Sequence, residues 1–382
     1  MSGDRPHIVM TFPDPLSSPG GGPIGCLSIA RALHELGIDV TLIPISTSNE
    51  TQPGVPVAVR SSTPSRIHYL LDGLGTLRTV RSVCASRPTT CVMSWSHEGA
   101  FLPGFLRRRG ISFGMIAAFP DYRVLRSRRA GWRSVKGLAD RWFRKRPLQK
   151  ADVVFALSTY TAGQLTELMG VDPKRIRRTY WGVPPAFLEI HRPKRSNISR
   201  LVYFGALTES KGVGDLLGAL ARVREQGETA WELRIAGWGD ENGLRQAASE
   251  LGIIGQVKIL GRLSHEELLP VLEWADLAIL PSRAESFGLA IAEAQAAGLP
   301  VIACKTGAVP EIVEDGLTGW LVEPGDSQAI ASALLAAMHR PEQTFDMGMA
   351  GRKRVANRFT WRATAEAMAQ GLFEPAAPPI AA

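Results

Sequence analysis

The sequence predicts an α/β protein made of two doubly wound parallel sheets. Three observations carry that reading. Short β-branched runs alternate with longer amphipathic stretches through both halves of the chain, the pattern of parallel strands wrapped by helices. The alternation breaks once, in the polar, Pro-containing stretch 189–198, and then restarts. The charge balance changes sign at the same place: residues 1–198 hold 28 Lys+Arg against 13 Asp+Glu, and residues 199–382 hold 16 against 23. A length of 382 residues is ample for two domains.

In the first half, residues 7–12 form a strand, followed by the Gly-rich loop 19–25. A helix then spans 26–36, with Leu27, Ala30, Leu33 and His34 at helical spacing and Gly37 as its stop. Residues 40–45 form the next strand, and 90–94, 112–117 and 153–157 read as further strands. After the break, strands at 200–204, 231–236, 257–260, 277–280 and 301–303 alternate with helices at 213–223, 243–251, 265–274 and 289–297. A last helix covers about 361–371.

Composition excludes several classes. With 45% hydrophobic and 21% charged residues the chain is not a disordered one. No apolar run approaches the ~18 residues of a membrane span. Cys26, Cys84, Cys91 and Cys304 form no C-x-x-C pair, which argues against structural zinc and a disulfide framework. The apolar run near the start is too short for a signal-peptide core, so a cytoplasmic protein is expected. No recognised nucleic-acid-binding module is present.

Ligands of doubly wound sheets bind beyond the carboxyl ends of the strands, so the loops after strands hold the chemistry. The most informative is Pro281-Ser282-Arg283-Ala284-Glu285-Ser286-Phe287-Gly288-Leu289-Ala290-Ile291-Ala292-Glu293. Glu285 lies in the loop, and Glu293 is expected two to three turns into the following helix. Phe287, Gly288 and Leu289 stand at the helix start, where free amides and the dipole make an anion site. On its own this segment reads as well as a helix start with ordinary surface acids. A second segment, Tyr203-Phe204-Gly205-Ala206-Leu207-Thr208-Glu209-Ser210-Lys211-Gly212, puts Lys211 where it can neutralise a diphosphate, or stand as a solvated lysine at a turn. Gly237-Trp238-Gly239 is a weaker glycine turn. The Gly/Pro-rich stretch 306–326 implies a shaped loop.

Taken in order, "GALTESKG", "IAGWGDENGL", "ILGRLSHEEL", "ADLAILPSRAESFGLAIAEAQAAGLPVIA" and "GAVPEIVEDGLTGWLVEPGD" resemble the C-terminal domain of the family 4 retaining glycosyltransferases. "GGGPIGCLSIARALHELGIDVTLIPI" resembles the family's first glycine loop and helix. The resemblance implies the GT-B fold: two facing Rossmann-like domains with a cleft between them. Domains are then expected at 1–188 and 199–357, with 189–198 as linker and a C-terminal helix, 358–375, rejoining the first.

The resemblance also implies roles. Glu285 matches the carboxylate expected at the donor-sugar hydroxyls, Glu293 the one at the nucleotide ribose, and Lys211 the diphosphate lysine. Phe287, Gly288 and Leu289 would supply amides, and Gly21 and Gly22 would close over the donor phosphates. Gly205 belongs to the same donor-side loop. The donor would be a nucleotide sugar, most often a UDP-sugar, used without metal or other cofactor.

Two positions depart from the family. Ala206 stands where an arginine is common, leaving Arg262 and Arg283 as replacements by position alone. Phe119-Pro120-Asp121 replaces a strand-end histidine near the acceptor; Asp121 and His97, the latter in a His-Glu pair, are the acceptor-side candidates.

The stretch 107–150 holds 14 Lys/Arg against Asp121 and Asp140. Trp132, Val135, Leu138, Ala139, Trp142 and Phe143 fall at helical spacing within it. Residues 123–150 thus fit either an interfacial helix on an anionic membrane, at the inner face, or a helix packed on its own domain. The alternative to a transferase is a non-catalytic nucleotide-sugar-binding or regulatory protein, motivated by Ala206 and Pro120. An NAD-type enzyme lacks its G-x-G-x-x-G after a strand, and a phosphorylase lacks an identifiable pyridoxal-phosphate lysine.

Overall fold

The structure, a computed structural model, describes residues 5–16, 21–45, 58–59, 68–118, 122 and 135–373. It divides into two compact units, residues 1–182 with 361–382, and residues 183–360. This differs from a boundary after 188: the chain leaves the first unit at Gly182 and re-enters it at Trp361. The helix Trp361–Phe373 therefore belongs to the first unit, packing along the helix Gly21–Glu35.

Among its described residues the first unit holds a seven-stranded sheet. Its strands are β1 (His7–Phe12), β2 (Asp39–Pro44), β3 (Ala58–Val59), β4 (Cys91–Ser94), β5 (Ser112–Ala117), β6 (Val153–Ala156) and β7 (Ile176–Arg178), in the order β3-β2-β1-β4-β5-β6-β7. The second unit holds six: β8 (Arg200–Phe204), β9 (Glu232–Ala236), β10 (Val257–Gly261), β11 (Leu277–Leu280), β12 (Val301–Cys304) and β13 (Gly319–Val322), in the order β10-β9-β8-β11-β12-β13. All the pairings are parallel. The central strands read as continuous apolar runs because helices cover both faces. β1, β4, β11 and β12 are buried at every position.

In both sheets the strand order reverses beside the first strand, between β1 and β4 and between β8 and β11. A crevice opens there, at the carboxyl ends.

Local chemistry sets the helices that matter. Ser264 and Glu267 form a capping box that starts the helix His265–Trp274. Asp240 and Asp326 cap the helices Glu241–Glu250 and Ser327–His339 through their side chains.

The segment 189–198 is anchored rather than a loose linker. Arg192 donates to the carbonyls of Leu272 (2.7 Å) and Ala297 (2.9 Å), and Arg352 donates to Ile190 O (2.6 Å). Arg195 pairs with Asp276 at 3.0 Å, whose other oxygen accepts from Ser199 and Arg200 amides. Arg192 serves orphan carbonyls at helix C-termini and Arg195 a carboxylate, which is why a polar, non-periodic stretch is nonetheless fixed in the second unit.

Two other expectations change. The helix expected at 26–36 begins at Gly21, so Gly21 and Gly22 occupy its first turn rather than a loop. Pro23 is tolerated there, since first-turn amides have no intrahelical partner. The stretch 306–326 contains β13, a four-residue strand that its glycines and prolines disguise.

Candidate active site

The crevice of the second unit lies between the loop after β8 and the loop after β11. The two loops are stitched together by backbone. Arg283 N donates to Ser210 O at 2.8 Å. Gly212 has φ +68°, and a Cβ there would collide with the Pro281 carbonyl oxygen. Gly307 at φ +52° stands equally close to the Glu285 carbonyl, which also accepts from Ala308 N at 3.2 Å. Only a residue without a Cβ fits at either position.

Across this junction Lys211 Nζ donates to Glu285 Oε1 at 2.5 Å. Their side chains are 32% and 13% exposed, so the pair is held by the fold yet open to a ligand. Tyr203 lies beneath, its hydroxyl donating to Ala206 O at 2.7 Å. Burial, helped by the Glu285 charge, pushes the Tyr203 phenol well above its ordinary range, so it stays a neutral donor.

Gly288, at φ +100°, opens the helix Leu289–Ala296 just beyond Glu285. Phe287 is buried edge-on against Phe359, with ring centroids 5.7 Å apart. The helix start therefore offers backbone amides on a fixed frame. Glu293 lies one turn into this helix rather than two to three, and is 4% exposed. Its Oε1 is 3.2 Å from His265 Nε2, an ion-pair contact without hydrogen-bond alignment. Burial alone would lower the His265 pKa, but the Glu293 carboxylate more than reverses this and the net shift is upward. The His265 ring also meets Phe187 edge-on at 5.2 Å.

The remaining donor-side candidates separate. Gly205 adopts φ +142° and packs so closely on Gly237 that neither loop could approach the other with a Cβ at Gly237. Arg262 is exposed. Arg283 is committed elsewhere: it clamps Asp215 through two nitrogens, at 3.0 and 2.8 Å, and reaches Glu209 at 3.0 Å.

In the first unit, Gly22 lies against the Phe12 ring, which a Cβ there would approach at 3.2 Å. His97 Nε2 is 3.6 Å from Asp72 Oδ2. Asp121, Phe119 and Pro120 lie outside the described residues, as does most of the basic stretch before Val135. Its helix, Val135–Lys150, packs on the first unit where described: Phe143 meets Phe101 at 5.8 Å, and Leu148 joins the core. Trp142 remains 43% exposed under Arg146, 4.9 Å from its ring.

Sequence reasoning missed three residues. His265 was legible only as a helix start, although the S-x-x-E cap fixes where its ring must lie. Tyr203 was read as a strand residue. Glu98 stands in the sequence simply as the neighbour of His97, yet it is fully buried. Its Oε1 accepts from the amides of Trp95 (2.7 Å) and Ser96 (3.1 Å) and from Thr11 Oγ1 (3.2 Å). Burial, against those hydrogen bonds, raises its pKa to about 7.

Residues 190–354 match the family model described as Glycosyl transferases group 1, and residues 20–182 that of the Glycosyl transferase 4-like domain. Among curated proteins, the glycogen synthase of Mycobacterium tuberculosis is 33% identical over 58% of this chain and 54% of its own. The chain thus spans about half the length of that relative. Among solved structures, sucrose-phosphate synthase from Thermosynechococcus elongatus superposes with a TM-score of 0.79 at 20% identity, covering 96% of this chain and 98% of that one. Anabaena HepE, solved in complex with UDP, gives 0.77 at 19% identity over 96% and 99%. At such identities the structures establish the fold, two Rossmann-like units of the GT-B type.

Proposed function

Because the chain belongs to the group 1 glycosyltransferases, we propose that it transfers a hexose from a UDP-sugar to an acceptor hydroxyl, with retention of anomeric configuration and without a metal ion. The observation that carries this reading is the Lys211–Glu285 pair at the switch point of the second unit, beside the open helix start at Gly288. The complex of HepE with UDP supports the choice of nucleotide.

A free ion pair at the mouth of a helix is a prepared exchange. An incoming diphosphate takes over the Lys211 charge and the amides of Phe287–Leu289, and Glu285 is released to the sugar hydroxyls. The amides and Lys211 are in place before charge develops on the leaving diphosphate, which is where such groups accelerate a reaction most. Glu293, held against His265, takes the ribose hydroxyls. In the transfer the bond from the anomeric carbon to the diphosphate oxygen breaks. The acceptor oxygen bonds to the same face of that carbon, and its proton passes to the departing phosphate. Glu285 and Glu293 act as hydroxyl binders; a glycosidase would instead need an acid and a nucleophile flanking one bond.

Attachment of residues 123–150 to an anionic membrane rests on their charge and on exposed Trp142 beside Arg146. Among the described residues no helix is long and apolar enough to cross a membrane. Flotation with vesicles containing anionic lipid tests the attachment.

The test of the transferase reading is nucleotide release from a panel of UDP- and GDP-sugars by the wild type and Glu285→Ala. Release by the wild type that the variant loses supports it. Tight UDP binding with no release from any donor would favour the non-catalytic binding protein, and the absence of a second cation at Ala206 is what keeps that outcome in play.

A further inference from the structure

The switch point of the first unit holds a cavity of about 210 Å³ at the carboxyl ends of β1 and β4. Phe12, Trp95 and Tyr122 supply its aromatic walls, and Asp14, Ser96 and Arg144 its polar groups. Phe12 and Trp95 meet edge to face, 5.4 Å apart at 86°. Arg144 Nη1 donates to Ser96 Oγ at 3.1 Å.

The walls are fixed from behind. Glu98 Oε1 gathers the amides of Trp95 and Ser96, and Thr11 Oγ1 bonds both Glu98 and Ser94 Oγ, the latter at 2.6 Å. The loop carrying Trp95 and Ser96 is therefore set before any ligand arrives, which lowers the cost of binding. Gly22 at the helix start keeps the space beside Phe12 clear.

We propose that this cavity receives a pyranose ring of the acceptor, so that the acceptor is a saccharide. The inference rests on the transferase reading and sharpens it. Aromatic rings suit the C–H face of a sugar, and a carboxyl group near a guanidinium offers acceptors and donors together to neighbouring hydroxyls. Burial pushes the Asp14 pKa up while the Arg144 charge opposes it, so the two groups sense each other. A fatty chain would strand the Asp14 carboxyl away from water. An inorganic or lipid phosphate would meet the Asp14 carboxylate. A sugar ring offends neither.

The test is a titration of the full chain by saturation-transfer NMR with methyl α-D-glucopyranoside, mannopyranoside and galactopyranoside, with octanol and inorganic phosphate as competing classes. At least one glycoside binds, and Asp14→Asn and Arg144→Met each weaken it about tenfold or more, the loss expected for a charge-assisted hydrogen bond. UDP affinity stays within about twofold in both variants, which the UDP titration reads from the same samples. The two variants are read separately, so misfolding of one leaves the other decisive. Binding of no glycoside, glycoside binding indifferent to both variants, or octanol or phosphate binding that the variants weaken instead, overturns the proposal. A chain that binds glycoside here yet releases nucleotide from no donor would sink the transferase reading and leave a saccharide-binding cavity without an acceptor role.

Discussion

The two units share one topology and spend it differently. At the β8/β11 switch point, the loops are locked by backbone, and the charges, Lys211 and Glu285, are paired and partly exposed. At the β1/β4 switch point, the polar anchor, Glu98, is buried with one oxygen unpartnered, and the space above is faced by aromatic rings together with Asp14, Ser96 and Arg144. The first arrangement suits an anion that displaces an ion pair. The second suits a neutral, hydroxyl-rich ring. A shared order of the first six strands therefore points to where a ligand would bind, and the residues one to eight positions past the strand to what kind.

The comparison breaks most sharply at Lys211. Lys211→Met should lower nucleotide release in the presence of acceptor by about 10²–10³-fold, the cost of one preorganised charge at the developing anion. His97→Asn, in the first unit, should change it far less. Equal losses in initial-rate assays would erase the distinction between the two sites.

The locked loops make the next prediction. Gly212→Ala adds a Cβ in a left-handed conformation against the Pro281 backbone and should cost about 2–3 kcal/mol or more in denaturant unfolding. Gly110→Ala, in the first unit, has a similar φ of +65° but open space around it, and should cost about 1 kcal/mol. Similar losses at both would mean that backbone strain, and not the stitching of the two loops, is what Gly212 supplies.

These glycines also show what the sequence could convey. Alternating apolar runs announced both sheets, because buried parallel strands need them. The Glu285–Glu293 segment, Lys211 and the helix start were legible because a strand, a loop and a helix follow one another without interruption. What escaped depended on distant partners. Segment 189–198 looks like a linker until Arg192 finds the carbonyls of Leu272 and Ala297. The helix runs from Gly21 although glycine is a poor helix former. Arg283 looked free to replace the cation missing at Ala206, and only the fold shows Asp215 holding it. Glu98 carried no signal, since nothing local says that a carboxylate will be buried.

Glu98 sharpens the comparison through pH. Its folded pKa, about 7, lies above the ordinary carboxylate value, so the folded state holds the proton more tightly than the unfolded one. Stability should then fall as pH rises through the interval from the unfolded value to about 7, by roughly 1–3 kcal/mol. Glu98→Gln keeps the accepting oxygen and should flatten that slope. A slope unchanged in the variant, measured by urea unfolding at pH 5 and 8, would show that Glu98 is not its source.

The smallest effect is at His265. Its folded pKa is raised, so the pair with Glu293 contributes in full below the unfolded histidine value and is lost as pH rises through the raised folded one. With a third of the His265 side chain exposed, the contribution should be about 0.5 kcal/mol. His265→Asn should remove it, which thermal midpoints at pH 6 and pH 9 resolve.

The central claim is that a diphosphate replaces Glu285 as the partner of Lys211. Calorimetric titration of UDP into the wild type and Lys211→Met tests it most directly, with the unfolding midpoint of each protein as the control. Lys211→Met should weaken UDP binding about tenfold or more at an unchanged midpoint, the scale of one charge-assisted contact. Equal UDP affinity in the two folded proteins would contradict it.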